Sequence, residues 1–178
     1  MDRGAPIAPL RDRGDHACVD LEIIDSDPAV ATGVVGPVIV CVWRLPPTEE
    51  VVARALAAFD RAAARMTGSF ACLLLVEPTS PAPTGPVRER IEAHYDGLPS
   101  MTAKVAVLEG QAPWIAESLD VAIDISGTYS RRRRTKVCVD TNEGIIWLTR
   151  QSEPPMGDAA RAVLARAVER LRASLPEA

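Results

Sequence analysis

Val38-Ile39-Val40-Cys41-Val42-Trp43-Arg44-Leu45-Pro46-Pro47-Thr48-Glu49-Glu50 is the stretch on which the fold turns. Its first six residues form a continuous apolar run of strand length. A strand apolar on both faces belongs in the middle of a covered sheet. Pro46-Pro47 stops it. Thr48 is then placed to cap a helix, with Glu49 and Glu50 in the first turn, where the helix dipole favours carboxylates. Val52, Leu56, Phe59, Ala63 and Met66 follow at alternating steps of four and three, which is one apolar stripe of a helix. Gly68 stands where a C-terminal glycine belongs.

The same phrase repeats downstream. Phe70–Val76 reads as a second buried strand. Glu77-Pro78-Thr79-Ser80-Pro81-Ala82-Pro83-Thr84-Gly85 is a stiff, proline-rich loop, and Pro86 suits a first helical turn. Val87, Ile91, Tyr95 and Leu98 make the next stripe, and Ala103–Leu108 a third strand. After Pro113, Ile115, Leu119 and Ile123 keep helical spacing, although Val121–Ile125 also fits a strand. Lys136–Val139 is a short strand, and Thr141 caps a short helix with Ile145, Ile146 and Leu148. Past Pro154-Pro155, Asp158 caps a long helix whose narrow stripe is Ala160, Leu164, Ala167, Leu171 and Leu175.

Upstream, Gly36-Pro37 opens the decisive strand. Val30–Gly33 fits a short strand and Ala17–Ile24 a half-buried one, with Asp25–Pro28 as a turn between them. Residues 1–16, rich in Pro, Gly and charge, read as a flexible leader. Strands alternating with helices predict an α/β fold: a mixed, mostly parallel central sheet with flanking helices, plus an extra C-terminal helix. The expected organisation is a leader over 1–16, an α/β domain over 17–151 and an amphipathic helix over 157–175.

The chain has 178 residues, 47% of them hydrophobic, which is enough for one domain with a real core. Aromatic residues make up only 4%, so that core is built from Val, Ile, Leu and Ala. No apolar run approaches the roughly 20 residues of a membrane span, and the first residues lack the apolar stretch of a secretory signal. A net charge of −4 argues against general nucleic-acid binding. Cys18, Cys41, Cys72 and Cys138 are far apart, without the close pairs of a zinc site. Three of them lie inside apolar runs, as small buried hydrophobes do. Reduced thiols and the missing signal together point to the cytoplasm.

No catalytic residue, metal site or cofactor site stands out. His16 lies in the leader and His94 in a helix beside Tyr95. No G-x-S-x-G phrase and no glycine-rich phosphate loop is present. Arg131, Arg132, Arg133 and Arg134 form the most unusual local feature. They fit either a contact with an acidic or anionic partner or a charged guard before an edge strand. Trp43 and Trp147 follow apolar patterns and read as packing. Trp114, at a helix start, is the candidate for contact with a partner or ligand. The last helix fits packing on its own sheet and also homodimerisation.

The element order over about residues 17–151 resembles the STAS domain, the fold of bacterial anti-sigma-factor antagonists, including variants related to CRAL-TRIO proteins. Two phrases carry the likeness: Val38–Trp43 with Arg44-Leu-Pro-Pro-Thr48-Glu49-Glu50, and Lys136-Val-Cys-Val-Asp-Thr141-Asn-Glu143-Gly-Ile-Ile-Trp147-Leu148. The Arg-over-Lys and Ala bias suits a GC-rich bacterial genome. The resemblance implies a non-enzymatic, regulatory protein-interaction domain. In that family a Ser or Thr is phosphorylated at the start of the helix that follows the strand corresponding to Phe70–Val76. Ser80 and Thr84 occupy that place here, although the family's Asp-Ser-Ser/Ala-Gly phrase is absent. The alternative is a carrier of a small apolar ligand or lipid.

Overall fold

The computed structural model describes residues 21–81, 83–111, 134–153 and 155–177. The elements in chain order are β1 (Glu22–Ser26), β2 (Val30–Val35), β3 (Val38–Trp43), α1 (Glu49–Ala63), β4 (Phe70–Val76), α2 (Gly85–Asp96), β5 (Met101–Leu108), β6 (Arg134–Cys138), α3 (Thr141–Gln151) and α4 (Asp158–Ser174). The strands form one six-stranded sheet in the order β1-β2-β3-β4-β5-β6. β1, β2 and β3 are an antiparallel meander, and β3 to β6 run parallel. The chain is therefore an α/β protein with a mixed, mostly parallel sheet and a C-terminal helix, as the alternation predicts.

Local chemistry explains each join. Val35 pairs with Val38 across the two-residue loop Gly36-Pro37. Gly36 has φ +53°, so a positive φ falls at the first loop position only, which leaves Pro37 its ordinary φ. The α1 cap is the expected one: Thr48 Oγ1 accepts from the Val51 N–H at 3.3 Å. Two other caps move back by one residue. Asp140, not Thr141, caps α3, because its Oδ1 accepts from the Glu143 N–H at 2.7 Å while the Thr141 hydroxyl turns to another partner. Gly157, not Asp158, precedes α4, and Asp158 is left in the first turn beside Arg161. Gly68 is no helix cap either, since α1 ends at Ala63 and its C-cap, Ala64, has ordinary right-handed backbone. The first turn also shifts. Asp25 and Ser26 belong to β1, and Asp27 makes the bend by accepting from the Ala29 and Val30 N–H groups.

Two helical layers cover the two faces. Ile39, Cys41, Trp43, Phe70, Cys72 and Leu74 meet Val52, Leu56 and Phe59 of α1 and Ile91 and Tyr95 of α2. Successive crossovers of one hand, stepping one way across a sheet, place their helices on one face. On the other face Val38, Val40, Val42, Leu73, Leu75, Val105 and Val107 meet Ile145 and Leu148 of α3 and Leu164, Val168 and Leu171 of α4. The α4 stripe thus packs on the chain's own sheet. Each large side chain so buried contributes roughly 1.5–3 kcal/mol.

Candidate functional site at the carboxyl ends of the parallel strands

Three parallel strands end in an apolar residue followed by a charged one: Trp43-Arg44, Val76-Glu77 and Leu108-Glu109. In α/β sheets the loops that follow these ends are the usual seat of function. Arg44 Nε donates to Glu77 Oε2 at 2.8 Å, and its guanidinium also reaches the Arg172 carbonyl at 3.2 Å. Arg172, in the last turn of α4, lies 2.5 Å from Glu109 Oε1 and 3.5 Å from Glu77 Oε1. The Thr141 hydroxyl donates to that same Glu109 oxygen at 2.5 Å. Arg172 Nη1 also donates to Glu169 Oε1 at 3.1 Å, so the two guanidinium groups meet two partly buried carboxylates and one exposed one. The network ties α4 to the ends of β3, β4 and β5.

Glu77 also opens the proline-rich loop, which is fastened to the segment after β3. The Glu77 N–H donates to the Trp43 carbonyl at 2.8 Å. The Thr79 hydroxyl donates to the Arg44 carbonyl at 2.7 Å and the Ser80 hydroxyl to the Leu45 carbonyl at 2.9 Å. From below, Gly110 (φ +72°) backs Pro78 so closely that a Cβ there would lie 2.8 Å from the proline ring.

These contacts separate the two candidate phosphoacceptors. Ser80 is 1% exposed and its proton is committed to a backbone carbonyl. Thr84 is exposed, stands at the N-cap of α2 and makes no side-chain capping bond. Arg134 is exposed on β6, which is an edge among the described strands. It donates to Gln151 Oε1 at 2.7 Å, with Glu153 at 3.9 Å. Trp114, Arg131, Arg132 and Arg133 lie outside the described residues. Thr84 follows the carboxyl end of β4, whereas Arg134 opens β6 at its amino end, so the two lie toward opposite ends of the parallel strands.

Elsewhere the polar groups serve packing. Lys104 is buried in β5, with Nζ 2.5 Å from Glu92 Oε2 and 5.0 Å from the centre of the Tyr95 ring, so a charge pair and a cation–π contact hold α2 to the sheet. His94 Nε2 lies 3.0 Å from Asp60 Oδ1, joining α2 to α1. Cys41, Cys72 and Cys138 are buried free thiols. Burial pushes the Cys41 thiol up to about 12 and the Cys138 thiol up to about 11. Thiols so protonated are poor nucleophiles and poor metal ligands. Among the described residues no three His, Cys, Asp or Glu side chains converge on a common metal position, and no helix is long and apolar enough to cross a membrane.

No protein-family model, no curated protein and no solved structure matches this chain.

Sequence reasoning passed over Arg44, Glu77, Glu109 and Arg172. Their signal was present: a charged residue directly after each of three buried strands marks the shared edge where those strands surface. Lys104, the one charge inside the apolar run 103–108, was the matching sign of a buried ion pair.

Proposed function

We infer that this chain is a regulatory protein-interaction domain of STAS-like type, without chemistry of its own, that responds to phosphorylation of Thr84. The observation that carries the reading is the contrast within one loop. Ser80 is locked beneath the surface, whereas Thr84 stands exposed at the head of α2, directly downstream of the buried parallel strand β4. The strand order, an antiparallel hairpin region followed by parallel βαβ units, supports the same assignment. A phosphate at Thr84 adds about −1.5 to −2 charge at a helix N-terminus, which favours anions and would change the docking surface around it. A bacterial, cytoplasmic signalling role fits this reading. The partner is a protein, and Arg134 at the exposed edge offers it a cationic contact.

Mass spectrometry of the chain isolated from its native cells, combined with binding of the identified partner to the wild type, Thr84→Ala and Thr84→Glu, tests the proposal. A phosphate on Thr84 and a partner affinity that differs between Thr84→Ala and Thr84→Glu are expected. An unmodified 77–84 loop under every growth condition, with equal affinity for both variants, would overturn it. A stoichiometric co-purifying apolar molecule would favour the carrier reading instead.

A further inference from the structure

Among the described strands β1 and β6 are the two edges of the sheet, and they are guarded differently. On β6, Arg134 and Lys136 put cations at the edge, a common defence against strand-to-strand association. β1 holds neither lysine nor proline. It carries Ile23, 44% exposed and the one large apolar side chain left exposed among the described residues.

The register fixes which backbone groups β1 turns outward. Val35 and Val38 flank a two-residue loop and so form a hydrogen-bonded pair. Alternation then makes Gly33 with Val40, and Ala31 with Val42, hydrogen-bonded pairs as well. Thr32 and Val34 therefore direct their backbone groups at β1, where they meet Asp25 and Glu22. Ile23 stands opposite Gly33, so its own N–H and C=O point away from β2. No other backbone group among the described residues bonds to them. Outward N–H and C=O groups beside an exposed apolar side chain are what an added strand uses.

The neighbouring acids leave no bare charge at this edge. Asp25 lies 2.5 Å from Arg61 Nη2, and Glu22 is paired with Arg65. Both arginines are about half-exposed and lie along one flank of β1, at the end of α1 and just beyond it. Leu21 packs on the α4 side of the sheet, so by alternation Ile23 stands on that side and Glu22 on the α1 side.

We propose that two copies of the chain join edge to edge through β1, antiparallel about a two-fold axis at Ile23. The Ile23 N–H of each copy donates to the Ile23 carbonyl of the other, and the two Ile23 side chains cover each other on the α4 side. On the α1 side each copy brings two acids and two half-exposed arginines, so the strip is complementary in charge to itself. The two-fold closes the assembly at two copies, whereas joining β1 to β6 would leave open ends. The bulge between Ile23 and Asp25 interrupts the regular edge, so the seam is short and the dimer reversible. Neither Thr84 nor the ion network at the carboxyl ends takes part, so the interface stands apart from the phosphorylation reading.

Sedimentation equilibrium of the full chain is run from about 10 μM to 1 mM, the range in which small interfaces associate. Amide hydrogen exchange of Ile23 is followed by NMR over the same range. A monomer–dimer equilibrium is expected, with exchange at Ile23 slowing in step with the dimer fraction. Ile23→Lys sets two like charges on the axis and removes no core contact. It should leave the chain monomeric with an unchanged melting temperature, whereas Ile23→Val should still dimerise. A chain monomeric throughout, a dimer that persists in Ile23→Lys, or species growing beyond two copies would each overturn the proposal. So would an Ile23 amide protected equally at every dilution, which would mean that the chain covers its own edge.

Discussion

Gly144→Ala sets two known magnitudes against each other. Gly144 lies within helix α3, where alanine is intrinsically better than glycine by about 1 kcal/mol. In this helix, however, glycine faces the sheet. A Cβ at 144 would lie 2.8 Å from Val107 Cγ2, 3.3 Å from Cys138 Sγ and 3.4 Å from Val105 Cγ2. Val105 and Val107 are fully buried on the interior strand β5, so neither side chain can rotate into free space. The alternative is for α3 to lift, which would draw Ile145 and Leu148 off the same sheet face. Overpacking of this kind costs about 1–3 kcal/mol. The sheet contact outweighs helix propensity, and the net expectation is a loss of about 0.5–2 kcal/mol. In urea the unfolding midpoint should fall with the m-value unchanged. The melting temperature should drop about 2–4 °C for each kcal/mol lost. Adding Val107→Ala removes the obstructing methyls, so the two changes should couple favourably by about 1 kcal/mol in a double-mutant cycle. A Gly144→Ala chain more stable than wild type would refute the close approach of α3 to β5.

Further outcomes follow from other contacts. Thr48→Ala should cost about 1 kcal/mol, because the Thr48 hydroxyl caps α1. Thr84→Ala should change stability by less than about 0.5 kcal/mol, because the Thr84 hydroxyl caps nothing; equal losses in urea melts would contradict the difference between the caps. Burial raises the Cys41 and Cys138 thiols from 9.0 to about 12 and about 11, so the folded chain keeps protons that the unfolded chain releases above pH 9.0. Stability should therefore be fully present below that pH and fall as pH rises through the window up to 11–12, by at most about 1.4 kcal/mol per unit per thiol. Under reducing conditions, Cys41→Ala should flatten that alkaline slope relative to the wild type, and an unchanged slope would count against the buried thiol. Leu164→Asp with Leu171→Asp places two carboxylates in a core position of α4 and should unfold the domain; a double mutant that stays folded by circular dichroism would mean that α4 does not cover the sheet.

The buried strands and their order were legible in the sequence because β3, β4 and β5 are apolar at nearly every position. A run of that kind is most stable as a strand covered on both faces. The sidedness of the sheet was not legible for the same reason: with no polar alternation, nothing in Val38–Trp43 says which residues meet α1 and which meet α4. Caps slipped by one residue at Asp140 and Gly157 because neighbouring residues compete for the same role. Thr141 had the right chemistry, but Glu109, thirty-two residues away, claims its hydroxyl. Within the candidate site, the proline-rich loop was visible as a loop. That Ser80 is inside and Thr84 outside was not, since it depends on the Leu45 carbonyl meeting Ser80 across thirty-five residues. The last helix admitted two readings because a narrow Ala/Leu stripe suits any flat apolar surface, whichever chain supplies it.

The sheet is laid down in strictly sequential order, so each strand finds its partner in the segment made just before it. The covering of one face does not share that convenience. Ala31, Val35, Val38, Val40 and Val42 of the early strands are covered by α4, and Ser26 bonds Ser174 across 148 residues. Among the described residues, the helix that covers this part of the face during synthesis is α4, which follows only once the segment beyond Gly157 has emerged. The meander is thus the first part of the sheet to pair and among the last to be shielded from water, and late docking across a long loop is slow compared with local pairing. A chain halted at Gly157 should expose this face, bind a hydrophobic dye and self-associate, whereas the same chain supplied with residues 158–177 as a separate peptide should do so less. In the life of this molecule the C-terminal helix acts as its final fastening, and a holding chaperone that occupies the Val38–Val42 face would be competing with the chain's own last helix.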